Sequence, residues 1–131
     1  MRAVDTNVLV RLITRDDEAR TLAAERFVAQ GAWVSVLVLA EATRMLATVY
    51  ALKRKQIAVA IEMLLAHEQL VLQDADVVGA ALSDFRRSST VGFSDCLVLA
   101  LARAAGHLPL GTFDRKLARL EGAVLPADAV D

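Results

Sequence analysis

Short apolar stretches that run straight into helical patterns recur along this chain, and that alternation limits the folds open to it. Arg2-Ala3-Val4 leads into Asp5, after which Val8, Leu9, Leu12 and Ile13 recur at helical spacing. Ala32-Trp33-Val34-Ser35-Val36 reads as a strand that passes directly into a helix over about residues 37–50. Leu70-Val71-Leu72 precedes a helix capped by Asp74 or Asp76 that reaches Arg86 and Arg87. A weaker strand over residues 108–113, whose Pro109 suits its start, precedes a short helix over residues 114–120. Helices over about residues 18–30, from Lys53 onward and over residues 94–105, together with a last short strand at residues 123–125, complete the pattern. Such alternation implies α/β architecture, a three-layer sandwich in which a short central parallel sheet is flanked by helices.

The second predicted helix is expected to turn Leu22, Ala23, Phe27 and Val28 inward, with Glu25 and Arg26 outward and Gly31 past its end. The helix after Lys53 places Ile57, Ala60, Ile61, Leu64 and Leu65 on one face. At 131 residues the chain is expected to form one domain, residues 1–131. Its apolar fraction of 56 % is supplied by Ala, Leu and Val rather than by aromatics, which fits elements covered on more than one side. Part of that apolar surface is expected to lie in a subunit or partner interface. The longest uncharged run, residues 27–40, is too short to span a bilayer and contains Gly31. No apolar segment precedes Asp5, so no secretory signal is expected. A single Cys96 excludes an intramolecular disulfide and agrees with a reducing cytoplasm. With a net charge of −1, nucleic-acid binding cannot rest on bulk positive charge. A local patch or a bound cation has to supply the attraction.

Most acids read as solvated: Asp16, Asp17, Glu18, Glu25 and Glu121 fall on polar faces or at helix starts. Four others are placed differently. Asp5 ends a strand and begins a helix, a position that also suits an N-cap. Glu41 lies inside a predicted helix on the side of Leu37, Val38 and Met45, about a turn past a strand end, with an ion pair to Arg44 as its plain structural explanation. Asp95 precedes Val98, Leu99 and Ala102 in the first turn of an apolar helix, where it also complements the helix dipole. Asp114 repeats the strand-to-helix position of Asp5, with the same capping alternative. In a parallel sheet such positions share one edge, and carboxylates gathered there repel unless a cation lies between them. Oxygen donors without Cys or His suit Mg²⁺ or Mn²⁺, and a metal among acids is suited to phosphodiester hydrolysis.

Other chemistries lack their residues. The chain has no phosphate-cradling glycine loop and no Ser-His-Asp constellation. His67 and His107 read as surface or loop residues, and Cys96 as a small core residue. Trp33 and the Phe residues read as core, leaving no base-stacking platform. The Lys53-Arg54-Lys55 and Arg86-Arg87 runs read as solvated faces, with phosphate contact as a second role.

Four motifs, in order, carry a resemblance: Val4-Asp5-Thr6-Asn7-Val8-Leu9, Leu39-Ala40-Glu41, Phe93-Ser94-Asp95-Cys96-Leu97-Val98-Leu99-Ala100 and Thr112-Phe113-Asp114-Arg115-Lys116-Leu117. Over nearly its whole length the chain resembles the PIN-domain ribonucleases, and among them the VapC-type toxins of toxin–antitoxin modules. The resemblance implies a Mg²⁺- or Mn²⁺-dependent endoribonuclease acting on structured RNA such as tRNA or rRNA. It further implies a homodimer and a small antitoxin protein that blocks the site. Asp5 and Asp95 are then the principal metal ligands, with Glu41 and Asp114 completing the acidic pocket and Thr6, Asn7, Ser94 and Thr112 in support. A housekeeping RNA-processing nuclease of the same fold, or a catalytically silent interaction module whose acids only cap helices, are the rival readings. A haloacid-dehalogenase-like phosphatase also begins strand-Asp, but Asn7 stands where its second Asp belongs. A response-regulator receiver is disfavoured because the chain lacks an early acidic pair.

Overall fold

A computed structural model describes residues 1–129. The chain divides into two compact units, Met1–Ala75 and a second that begins at Asp76. In the first, β1 (Arg2–Ala3), β2 (Ala32–Val34) and β3 (Leu70–Leu72) form a parallel sheet in the order β1-β2-β3. Two helices connect each pair of neighbours: α1 (Thr6–Thr14) and α2 (Glu18–Val28), then α3 (Val36–Thr48) and α4 (Arg54–Ala66). Parallel neighbours need such crossovers, because a tight hairpin can only reverse the chain. This is the α/β class that the alternation implies, a short central parallel sheet flanked by helices.

Polar residues set the helix starts. Asp5, Asp17 and Ser35 each stand in extended backbone and accept from an amide of the helix that follows. The core of this unit is aliphatic: Leu9, Leu39, Leu46 and Ile61 are fully enclosed. Ile57, Ala60, Ile61 and Leu64 of α4 are buried as their spacing predicts.

Two expected faces are corrected. In α2 the buried residues are Thr21, Ala24 and Val28, while Leu22 and Ala23 are exposed. Thr21 tolerates burial because its hydroxyl donates to the carbonyl of Arg11 at 3.4 Å. Phe27 is half-buried beneath the Arg2 guanidinium, which sits 3.8 Å from the ring centroid. The central strands also alternate rather than being buried on both faces. Ala32, Val34, Leu70 and Leu72 point into the core, whereas the paired residues Trp33 and Val71 remain exposed. Trp33 is therefore not the core residue that its type suggested.

The second unit contains α5 (Ala75–Arg87, from its second residue), α6 (Phe93–Ala104) and a separate parallel pair, β4 (Leu110–Gly111) with β5 (Ala123–Val124). The strands on either side of Asp114 thus form their own small sheet instead of extending the first. Phe85 and Phe93 meet edge to face at 5.8 Å, and Cys96, Leu97 and Leu99 are buried, so these residues are core as expected. Arg103 of α6 donates to the carbonyl of Glu121 at 2.8 Å, tying that helix to the segment before β5. The expected helix over residues 114–120 is a capped turn followed by a single 3₁₀ turn, Leu117–Arg119. No helix among the described residues is long and apolar enough to cross a membrane.

Candidate active site

Asp5 stands just past β1, at the carboxyl edge of the three-stranded sheet, and its capping role is as expected. Its Oδ1 accepts the Thr6 amide at 2.7 Å, so it caps α1 as well as presenting a carboxylate. Thr6 is buried, and its hydroxyl donates to Oε2 of Glu41 at 3.1 Å. One residue therefore holds two of the four predicted acids, Asp5 through its amide and Glu41 through its side chain. Asp5 Oδ2 and Glu41 Oε1 remain without a partner among the described residues. Asn7 is exposed on the first turn of α1.

Glu41 corrects its own prediction. Leu37 and Glu41 do share a helix face, as i and i+4 must, but that face is the outer one. Leu37 is 67 % exposed, Glu41 is exposed, and α3 buries Leu39, Ala42, Thr43 and Leu46 instead. An exposed carboxylate needs no buried counter-charge, and the partner found is Thr6 rather than Arg44.

The start of α3 is held by a residue that sequence reasoning passed over. The amide of Gln73 donates to the carbonyl of Val34 at 2.8 Å, and its Oε1 accepts the Val36 amide at 2.9 Å. Gln73 thereby fixes the β2–α3 junction from which Glu41 projects. Its place directly after β3, opposite the end of β2, is legible only once the register is known.

In the second unit, Ser94 and Asp95 are half-buried in the first turn of α6, whose N-cap Gly92 offers no side chain to the free amides. A negative charge there is favoured by the helix dipole. The Val98 side of α6 is corrected: Val98 is half-exposed, and the enclosed face is Phe93, Cys96, Leu97, Leu99 and Ala100. Asp114 is exposed just after β4. Its Oδ1 accepts the amides of Lys116 and Leu117 at 2.8 and 3.1 Å, while its own amide donates to Thr112 Oγ1 at 3.0 Å. Thr112 thus holds the backbone at Asp114, whereas Thr6 contacts the Glu41 carboxylate itself. Phe113, between them, was expected in the core and is 86 % exposed. In this short turn, the side chains of Thr112 and Asp114 are occupied with the backbone, and Phe113 is left outward.

The histidines and the acids read as solvated are as bland as predicted. Asp17 caps α2, Glu25 pairs with Arg15, and both His67 and His107 are exposed. Asp16 lies on the surface, and hydrogen bonds from Arg11 at 2.7 Å and Thr14 at 2.9 Å hold its carboxyl below the ordinary Asp value. The same contact raises the Arg11 guanidinium.

The donor chemistry fits a hard divalent cation: the predicted set is all oxygen, and Asp5 and Glu41 each keep one oxygen uncommitted. Among the described residues, no group of three or more His, Cys, Asp or Glu side chains is gathered for a metal ion. A search of curated proteins returned no match. The family model described as PIN domain matches residues 2–123, which takes in all four predicted acids. The chain therefore belongs to the PIN-domain family, whose members are generally nucleases.

Proposed function

We propose that residues 1–131 act as a single metal-dependent endoribonuclease domain that hydrolyses RNA phosphodiester bonds. The observation that carries this reading is the Asp5–Thr6–Glu41 arrangement, two carboxylates held at one sheet edge in a PIN-domain chain. Asp5 and Asp95 would be the principal ligands of Mg²⁺ or Mn²⁺, with Glu41 and Asp114 as the further carboxylates of the set. A divalent ion supplies, when bound, activation of a water and neutralisation of charge on the phosphate. Thr6 orients the Glu41 carboxylate, Thr112 holds the backbone that carries Asp114, and Asn7 and Ser94 position water or phosphate oxygens. No side chain acts as a covalent nucleophile. Purified Asp5→Asn protein is expected to fold and to lose cleavage of RNA in Mg²⁺ or Mn²⁺. Cleavage at the parent rate would sink the assignment.

The biological role we infer is that of a cytoplasmic toxin, a homodimer silenced by a small antitoxin protein and acting on tRNA or rRNA. It is supported by the four motifs and by family membership. Expression of the chain alone should arrest growth, and co-expression of the adjacent small gene product should relieve the arrest. Growth unaffected by an active enzyme would point to housekeeping RNA processing.

A further inference from the structure

We infer that Phe113 is a stacking platform for an unpaired RNA base, with Arg115 and Lys116 contacting the adjoining backbone phosphates. Phe113 is the most exposed large hydrophobic residue among those described, at 86 %. The other three Phe residues are used differently: Phe85 and Phe93 are buried against each other, and Phe27 lies beneath Arg2. An exposed aromatic ring offers a flat apolar face on which a base can stack, and stacking would bury it.

The local backbone is held in place. Thr112 Oγ1 accepts the Asp114 amide, and Asp114 Oδ1 accepts the next two amides, so the ring projects from a tied turn. A platform of this kind loses little entropy when a base settles on it. Arg115 and Lys116 are both exposed, and neither side chain has an ion-pair partner among the described residues. An exposed aromatic beside two free cations is the chemistry of single-strand recognition: the ring takes a base face, and the cations take the phosphates. It also answers the charge problem. A chain of net charge −1 cannot attract RNA by its overall field, but a local cationic turn can.

The inference rests on the nuclease reading in one respect, because the base on Phe113 would be placed next to Asp114. Binding is therefore measured apart from cleavage. Fluorescence anisotropy of a short single-stranded oligoribonucleotide is followed with the Asp5→Asn protein, alone and combined with Phe113→Ala, Phe113→Trp or Arg115→Ala/Lys116→Ala. Phe113→Ala should weaken binding roughly five- to a hundredfold, the range of base–aromatic stacking. Phe113→Trp should retain affinity. The double cation variant should bind more weakly and with a shallower salt dependence. A duplex of the same sequence should be nearly indifferent to Phe113→Ala.

Equal single-strand affinity for the Phe113→Ala and parent proteins would overturn the inference. So would an equal loss on duplex, which would indicate a backbone contact without stacking. If Phe113→Ala instead dissociates an oligomer in sedimentation while RNA affinity stays constant, the ring is a protein contact and the inference fails. Failure of the nuclease reading appears elsewhere, as undiminished cleavage by Asp5→Asn, and leaves these binding results interpretable.

Discussion

The Thr6 hydroxyl donates to Glu41 Oε2 across 3.1 Å, joining the first turn of α1 to the outer face of α3. Thr6 is itself buried, so the bond is shielded from water at its donor end. Thr6→Val keeps the shape and removes the donor. It should cost about 1 kcal/mol of stability in urea unfolding, the usual net worth of one hydrogen bond. RNA cleavage should fall roughly 10–100-fold, as when a partner orienting a metal ligand is lost. Thr6→Ser should restore most of both, and full activity in the Val variant would show that Glu41 needs no tether.

Asp5 has two roles that substitution can separate. Asn caps helices about as well as Asp, so Asp5→Asn should match the parent in chelator-treated thermal melts while cleavage is lost. Asp5→Ala loses the cap as well and should be less stable by about 1 kcal/mol. Equal melting of the Ala and Asn variants would mean that the contact to the Thr6 amide contributes nothing.

Metal should stabilise the native state. An ion that binds only the folded chain raises stability by mass action, about 2.7 kcal/mol at a hundred times its dissociation constant. Titration with Mg²⁺ or Mn²⁺ followed by differential scanning calorimetry should raise the Tm of the parent and leave Asp5→Asn nearly unmoved. A parent Tm indifferent to saturating metal would count against a carboxylate-held cation.

The acid limb of stability should carry a contribution from Asp16. Its folded carboxyl is held below the ordinary value of 3.8 by Arg11, so the contribution is present above that value. It is lost as pH falls through the lower, folded value. Raising the Arg11 guanidinium adds nothing below pH 10, since Arg stays charged throughout. Asp16→Asn should flatten the stability profile on the acid side of about pH 4, and the difference should shrink in high salt, because the pair is on the surface. Identical acid profiles for variant and parent would remove Asp16 from the account.

The sequence by itself determined the α/β class and the strand-then-helix order, and placed Asp5 and Asp114 just past strands and Asp95 in the first turn of a helix. Each of these depends on local pattern: apolar period, capping residues and the Pro and Gly that end elements. The strand Leu70–Leu72 was legible to the residue, and Asp5 could be read both as cap and as ligand.

Tertiary structure decided which face of each element meets the core. Leu37 and Glu41 look like a core stripe in the chain, yet packing selects Leu39, Ala42, Thr43 and Leu46. Trp33 alternates outward because its neighbours Ala32 and Val34 are the pair facing the helices. Gln73 acquires its role only from strand register, and Phe113 is exposed because a tied turn leaves its ring outside. Periodicity fixes which residues share a face, but partners distant in sequence fix which face is covered. For that reason the order of elements could be read from the chain, and the exposed ring between Thr112 and Asp114 could not.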